Sequence, residues 1–127
     1  SHKFFAEVAE QLETFIKWET EMSFVRKDKA TLRDHLKIAA ASSINAQLQL
    51  IPPELSNLAL DMVGLFFDVA ANRGSTGFGP APVSYRQILD WEELRRVELE
   101  QWQINMILKA DRAYLSTYHE LAAKDGN

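Results

Sequence analysis

The stretch from Arg73 to Trp91, RGSTGFGPAPVSYRQILDW, constrains the fold more than any other part of this chain. It holds three of the five glycines and two of the four prolines, residues that permit tight turns and interrupt regular helices. Helix-like periodicity lies on both sides of it, so residues 73–83 are predicted to form a central loop between two helical regions. The loop is rich in apolar and aromatic side chains, whereas a flexible tether is polar. We therefore expect the loop to pack against the rest of the protein.

Apolar residues outside this stretch recur at intervals of three and four, which is the spacing of one face of an α-helix. The sequence has no alternating apolar and polar pattern of a length that predicts a β-strand. We predict an all-α fold, a compact bundle of about five helices that forms a single domain over residues 1–127. The expected helices cover residues 3–25, 32–47, 53–72 and 84–95, and a last helix begins between Val97 and Leu99 and continues to about Ala123.

The ends of these helices carry further signals. Thr31 and Asp34, like Ser84 and Gln87, have the three-residue spacing of a capping box.

Gly64, in the middle of an apolar helix, predicts the close approach of a neighbouring helix. The break between the last two helices is weak, so they could also be continuous. The second helix is expected to bury four residues, Leu36, Ala39, Ala40 and Ile44.

Composition and motifs argue against an enzyme. The chain has no cysteine, so disulfides, thiolate nucleophiles and cysteine metal sites are ruled out. The carboxylates between Asp90 and Glu100 lack the enclosed setting that shifts a catalytic pKa. His35 has no second metal ligand one turn away, and His119 is a lone histidine near the C-terminus. We predict a protein without a catalytic site, metal, cofactor or small-molecule ligand.

Charge and hydropathy argue against nucleic-acid and membrane partners. The net charge is −4, and the acidic excess lies in residues 51–127. The longest nearly apolar run, residues 62–71, is too short to cross a membrane. One basic cluster is offset by Asp28 and Asp34, and we interpret it as a solvated turn and helix start. Its members are Arg26, Lys27, Lys29, Arg33 and Lys37. The first two residues, Ser1 and His2, resemble the remnant of a cleaved tag.

Aromatic and proline residues in the second half of the chain provide chemistry for recognising another polypeptide. Rigid aromatic side chains give a large contact area at little entropic cost. One interpretation is structural: Phe78 and the prolines hold the loop on the helices, while Trp91 and Trp102 fill the core. The other is a groove for a protein partner, and the two are compatible. The predicted partner-binding residues are Phe78, Pro80, Pro82, Tyr85, Trp91 and Tyr114.

The order of these residues resembles a known family, the small tail assembly chaperones of long-tailed bacteriophages and prophages, in particular the downstream part of their frameshifted pair. The likeness covers about residues 28–116. It consists of a Pro-Pro-x-Leu start, a helix with paired aromatics, an Arg-Gly, a Gly-Phe-Gly-Pro-x-Pro loop, an Ile-x-x-Trp helix and a last helix with an Asp and a Tyr-Leu. In this chain the pattern is carried by Pro52, Pro53 and Leu55, then Phe66 and Phe67, Arg73 and Gly74, residues 77–82, Ile88 and Trp91, and finally Trp102, Asp111, Tyr114 and Leu115.

The resemblance implies a non-enzymatic chaperone that binds the tape measure protein during tail assembly and helps to recruit tail tube subunits. It also implies action in the host cell cytoplasm and absence from the mature virion. Self-association is left open as a further interaction, and residues 1–27 lie outside the likeness. Two alternatives remain. One is a structural head–tail or tail completion protein of the virion, and the other is a small DNA-binding module of the packaging machinery, against which the acidic second half argues.

Overall fold

The computed structural model describes residues 2–126, and within this range it contains six α-helices and one small β-hairpin. The helices are α1 (His2–Ser23), α2 (Leu32–Ala39), α3 (Ile44–Gln49), α4 (Asn57–Ala70), α5 (Tyr85–Arg95) and α6 (Gln101–Gly126). The hairpin pairs β1 (Ser75–Thr76) with β2 (Gly79–Pro80) in antiparallel register. The predicted all-α class is confirmed, and the hairpin is an addition that the sequence pattern did not predict.

The two longest helices, α1 and α6, lie side by side and run in the same direction. Near their starts the ring centroids of Phe5 and Trp102 are 4.9 Å apart, and near their ends those of Phe24 and Tyr118 are 5.3 Å apart. Helix α4 packs on both, and α5 packs on α4. These helices bury one main core, because each turns an apolar face inward. Its members are Val8, Leu12, Ile16, Ala59, Met62, Val63, Phe66, Val69, Val83, Ile88, Leu99, Met106, Ile107 and Ala110.

A second, smaller core lies where α2 and α3 meet the end of α1. Its buried residues are Met22, Leu36 and Ala46, and Trp18, Leu32, Ala40 and Leu50 pack around them. The indole Nε1 of Trp18 donates a hydrogen bond to the carbonyl of Gln49 at 3.3 Å. The α2–α3 pair is therefore attached to the bundle through one end of α1.

The helix predicted over residues 32–47 is two helices, so that part of the prediction was wrong. The Thr31–Asp34 capping box begins α2 as expected, but the Ser43 side chain accepts a hydrogen bond from Ala46 N and begins a new helix. A serine that caps a following turn competes with continuation of the preceding helix. The break leaves Ala39 exposed and Ile44 72% exposed, whereas both had been expected in the core. Leu36 is buried as predicted.

Two other expectations are corrected. Helix α4 begins at Asn57 rather than near Pro53, because Ser56 caps it through Ala59 N. A Cβ on Gly64 would meet no atom within 4 Å, so no neighbouring helix approaches there. The last two helices are separate, as the predicted helix bounds have them, since Arg96 ends α5 in the left-handed conformation with φ of 56° and α6 begins at Gln101.

Replacement of Phe66 by alanine tests the main core. Phe66 is 1% exposed, whereas its neighbour Phe67 is 44% exposed and serves as a matched control. We expect Phe66→Ala to lower the free energy of unfolding by about 3–5 kcal/mol, because it removes buried apolar surface and leaves a cavity. Phe67→Ala should cost far less. Urea denaturation followed by circular dichroism measures both, and equal costs would contradict the assigned helix faces.

Candidate functional site

The central loop presents Phe78 at the tip of the hairpin. Ser75 pairs with Pro80 and Thr76 with Gly79, which leaves Gly77 and Phe78 as the turn. The backbone N–H of Phe78 donates to the Thr76 hydroxyl at 3.0 Å. The Phe78 side chain is 92% exposed, so it does not hold the loop on the helices. The structural interpretation of this residue is therefore wrong.

A buried ion pair between Arg73 and Asp111 anchors the loop instead. Arg73 Nη2 binds Asp111 Oδ1, and the two side chains expose only 11% and 4% of their surfaces. The other carboxylate oxygen accepts the backbone N–H of Val83 at 2.8 Å, and Arg73 Nη1 donates to the carbonyl of Ala81 at 2.9 Å. One carboxylate on α6 thus holds the first and last residues of the loop.

Tyr114 completes this anchor on α6. The Arg73 guanidinium carbon lies 4.5 Å from the centre of the Tyr114 ring, within the range of a cation–π contact. Burial raises the pKa of the Tyr114 hydroxyl, and the positive charge of Arg73 partly offsets this effect. Tyr114 therefore lies beneath the loop, where it stabilises Arg73, rather than at the exposed tip.

Hydrogen bonds from Gln87 and close packing at Gly79 hold the rest of the loop in place. Gln87 donates from Nε2 to the carbonyl of Asn72 at 2.9 Å, while its Oε1 accepts the backbone N–H of Ser84 in the predicted capping box. Gly79 has φ of 132°, and a Cβ there would lie 3.2 Å from Cε1 of Tyr118. Only glycine fits this position, because both the backbone and the neighbouring ring exclude a side chain. The loop packs on the helices as the sequence predicts.

Pro82 and Tyr85 line one open groove beside the loop, with a volume of about 510 Å³. Leu108, Arg112 and Leu115 of α6 form its other wall, at the spacing that places side chains on one helix face. Tyr85 is 74% exposed and Pro82 is also exposed. The groove combines apolar side chains with one exposed arginine, a composition suited to a polypeptide.

Trp91 lies apart from this groove. It is half-buried against the main core, and its Nε1 donates to Asp68 Oδ2 at 2.6 Å. Arg95 binds the same carboxylate at 3.1 Å. The hydrogen bond from Trp91, followed by the contacts with Arg95, lowers the pKa of Asp68 below its usual value. These contacts join α5 to α4.

The structure thus separates the six predicted partner-binding residues into two groups. Phe78, Pro82 and Tyr85 lie exposed at the hairpin tip and the groove. Pro80, Trp91 and Tyr114 are partly buried and take part in holding the loop and α5 in place. Partner binding by any of the six residues stays a prediction.

Sequence reasoning missed two elements of the site. Asp111 was noted as part of a motif, but its pairing with Arg73 was not predicted. The signal was present, because an aspartate four residues after Ile107 lies on the buried face of α6 and needs a partner there. The groove wall of Leu108, Arg112 and Leu115 was also missed, since its importance depends on where the loop ends in space.

Residues 2–126 contain no group of three or more His, Asp or Glu side chains that could hold a metal ion. In the basic cluster, Arg33 binds Glu19 at 2.6 Å, so part of the cluster's positive charge is neutralised, and beside the cluster His35 lies 2.9 Å from Asp28. No helix in the described range is both long and apolar enough to cross a membrane.

Comparison with known proteins identifies a family. A family model described as "Phage tail assembly chaperone" matches residues 38–116, which is more than half of the chain. The match contains α3, α4, the loop, α5 and most of α6, whereas α1 and nearly all of α2 lie outside it. No curated protein matches the chain. No solved structure matches it either.

Replacement of Asp111 by alanine tests the anchor. Arg73 would keep its buried charge without a partner, so we expect the free energy of unfolding to fall by about 3–5 kcal/mol. Asp90→Ala is the control, because Asp90 pairs with Arg86 on the surface at 3.8 Å and such pairs contribute about 0.5 kcal/mol. Urea denaturation measures both variants. A cost for Asp111→Ala as small as the control's would show that the anchor is dispensable.

Acid titration tests the contact between Trp91 and Asp68. The pKa of Asp68 is lowered in the folded protein, so its stabilising contribution is present at neutral pH and is lost as the pH falls through the folded-state value. We expect the Trp91 indole N–H resonance to shift with a midpoint below pH 3.8, the ordinary value for aspartate. The Trp18 indole donates to a carbonyl and should not report this step. A midpoint at or above 3.8 would contradict the assignment.

Proposed function

Because the chain belongs to the phage tail assembly chaperone family, we propose that it binds the tape measure protein and helps to recruit tail tube subunits around it. The family indicates a non-enzymatic chaperone role. The observation that supports a binding role for the loop is the exposure of its aromatic side chains. Phe78 and Tyr85 expose 92% and 74% of their surfaces, although aromatic residues dominate the energetics of cores and interfaces.

The rigidity of the loop supports binding rather than simple tethering. Binding by a flexible segment costs free energy because side chains and backbone must be ordered. In this protein the Arg73–Asp111 pair and the Gln87 contacts already fix the loop in the free chain. An aromatic residue held in place loses little further entropy when a partner covers it. This arrangement favours a specific contact at the hairpin tip.

The groove favours an amphipathic helical segment as the part of the tape measure protein that binds. Helix recognition uses an apolar groove that accepts residues spaced three and four apart. Pro82, Tyr85, Leu108 and Leu115 provide such a surface. Arg112 is exposed on its wall and favours a segment with an acidic residue beside its apolar stripe. Covering this stripe would keep an unassembled partner from aggregating.

A capture experiment tests this proposal. The chain and the tape measure protein from the same genome are co-expressed, and the recovered soluble complex is quantified. We expect Phe78→Ala combined with Tyr85→Ala to reduce capture by at least about tenfold, since interface aromatics contribute on the order of 2 kcal/mol each. Leu94→Ala is the control, because Leu94 is 76% exposed on α5 but lies outside the groove.

The fold of each variant is checked by circular dichroism, and both should remain folded because the altered side chains are exposed. Undiminished capture by the double variant would exclude the loop as the contact. Complete absence of capture by the unaltered chain would contradict the chaperone proposal itself. The proposal also places the protein in the host cell cytoplasm and outside the mature virion. Its detection at stoichiometric level in purified particles would favour a structural virion component.

A further inference from the structure

Helix α3 carries an apolar face that nothing else within residues 2–126 covers. Ile44, Leu48 and Ile51 expose 72%, 60% and 63% of their surfaces. Their spacing of four and three places them on one side of the helix, and Ile51 continues its last turn through a hydrogen bond to the carbonyl of Leu48. Ala46 and Leu50 belong to the second core on the opposite side. We call Ile44, Leu48 and Ile51 the α3 face.

Within the monomer, helix α3 is packed on one side only. The helix has six residues and packs mainly on α2. A helix of this length is not stable by itself and depends on packing. On the adjoining helix α2, Ile38 is 77% exposed, so α2 also presents an exposed apolar side chain. Clustered exposed apolar residues mark interaction surfaces.

The charge pattern around the α3 face indicates which partner fits. Residues 38–53 contain no Asp, Glu, Lys, Arg or His. This uncharged segment follows the exposed Lys37 and precedes the exposed Glu54, so its two ends carry opposite charges. In a two-fold contact whose axis runs perpendicular to the segment, each end of the segment meets the opposite end of the other copy. Lys37 would then lie near Glu54 of the second copy, twice in one dimer.

The remaining surface is less suited to a contact between identical chains. The net charge of −4 makes two copies repel each other overall, and an uncharged face is where they can approach without burying charge. In the groove, Asp111 is already paired with Arg73, so Arg112 gives the lining its positive charge. Two grooves facing each other would bring like charges together. The groove therefore suits a different partner, whereas the α3 face is complementary to itself.

We propose that the α3 face is the contact surface of a two-fold dimer of this chain. Stable interfaces use roughly 20–30 residues on each side, more than residues 37–54 supply. The dimer is therefore small and reversible, with a dissociation constant on the order of micromolar. Dimer formation gives one assembly two copies of the groove on separate surfaces.

Sedimentation equilibrium over a range of micromolar concentrations tests the dimer. We expect the unaltered chain to pass from monomer to dimer as its concentration rises. Leu48→Glu places a charge in the middle of the α3 face and should weaken the dimer by at least about tenfold, because the carboxylate would lose its hydration there. Leu94→Glu is the control with comparable exposure on α5, and it should dimerise like the unaltered chain.

A charge exchange tests the two-fold arrangement. Lys37→Glu and Glu54→Lys, made singly, should each weaken the dimer by about two- to fivefold, the usual range for exposed ion pairs. The double variant should restore the original affinity, because the opposite charges then meet again. Circular dichroism verifies that each variant is folded.

Several results would overturn the proposal. A chain that stays monomeric at every concentration would leave the α3 face to a different protein. Equal dimerisation of Leu48→Glu and the unaltered chain would place the contact elsewhere, and a double charge variant that is not restored would exclude the two-fold pairing. Leu48→Glu should retain capture of the tape measure protein, which separates this inference from the proposed function of the groove.

Discussion

The buried pair of Arg73 and Asp111 is the interaction on which the arrangement of the second half of the chain depends. One carboxylate on α6 binds the arginine that follows α4 and the backbone N–H that precedes α5. Buried ion pairs contribute little net stability compared with apolar residues of the same size, because both charges lose their hydration. They do penalise any conformation that separates the partners. In this protein, that penalty selects one path for the loop.

A fixed loop has a direct consequence for binding. Glycine and proline give residues 73–83 their sharp changes of direction, while the ion pair and the packing of Gly79 against Tyr118 remove the freedom those residues would otherwise leave. Phe78 and Tyr85 can therefore be exposed and ordered together. The chaperone family to which the chain belongs acts on other proteins, and an ordered apolar surface provides a means to do so.

The degree to which sequence predicted this structure differs between local and long-range features. The capping boxes at Thr31 and Ser84 were predictable, because their hydrogen bonds join residues three apart. The break at Ser43 was not, since an apolar spacing that continues through a turn does not distinguish one helix from two. The Arg73–Asp111 pair lies 38 residues apart and becomes apparent only when the loop and α6 are placed together. The groove could not be predicted either, because its walls come from two segments that are distant in sequence and meet only in the folded chain.

Site-specific photo-crosslinking shows directly whether the hairpin tip contacts the tape measure protein. A photoreactive phenylalanine analogue is placed at position 78 or, as the control, at the exposed position 94, and the co-expressed proteins are irradiated in cells. We expect a crosslink to the tape measure protein from position 78 and little or none from position 94. Absence of that crosslink from position 78, or equal yields from both positions, would contradict the proposed contact.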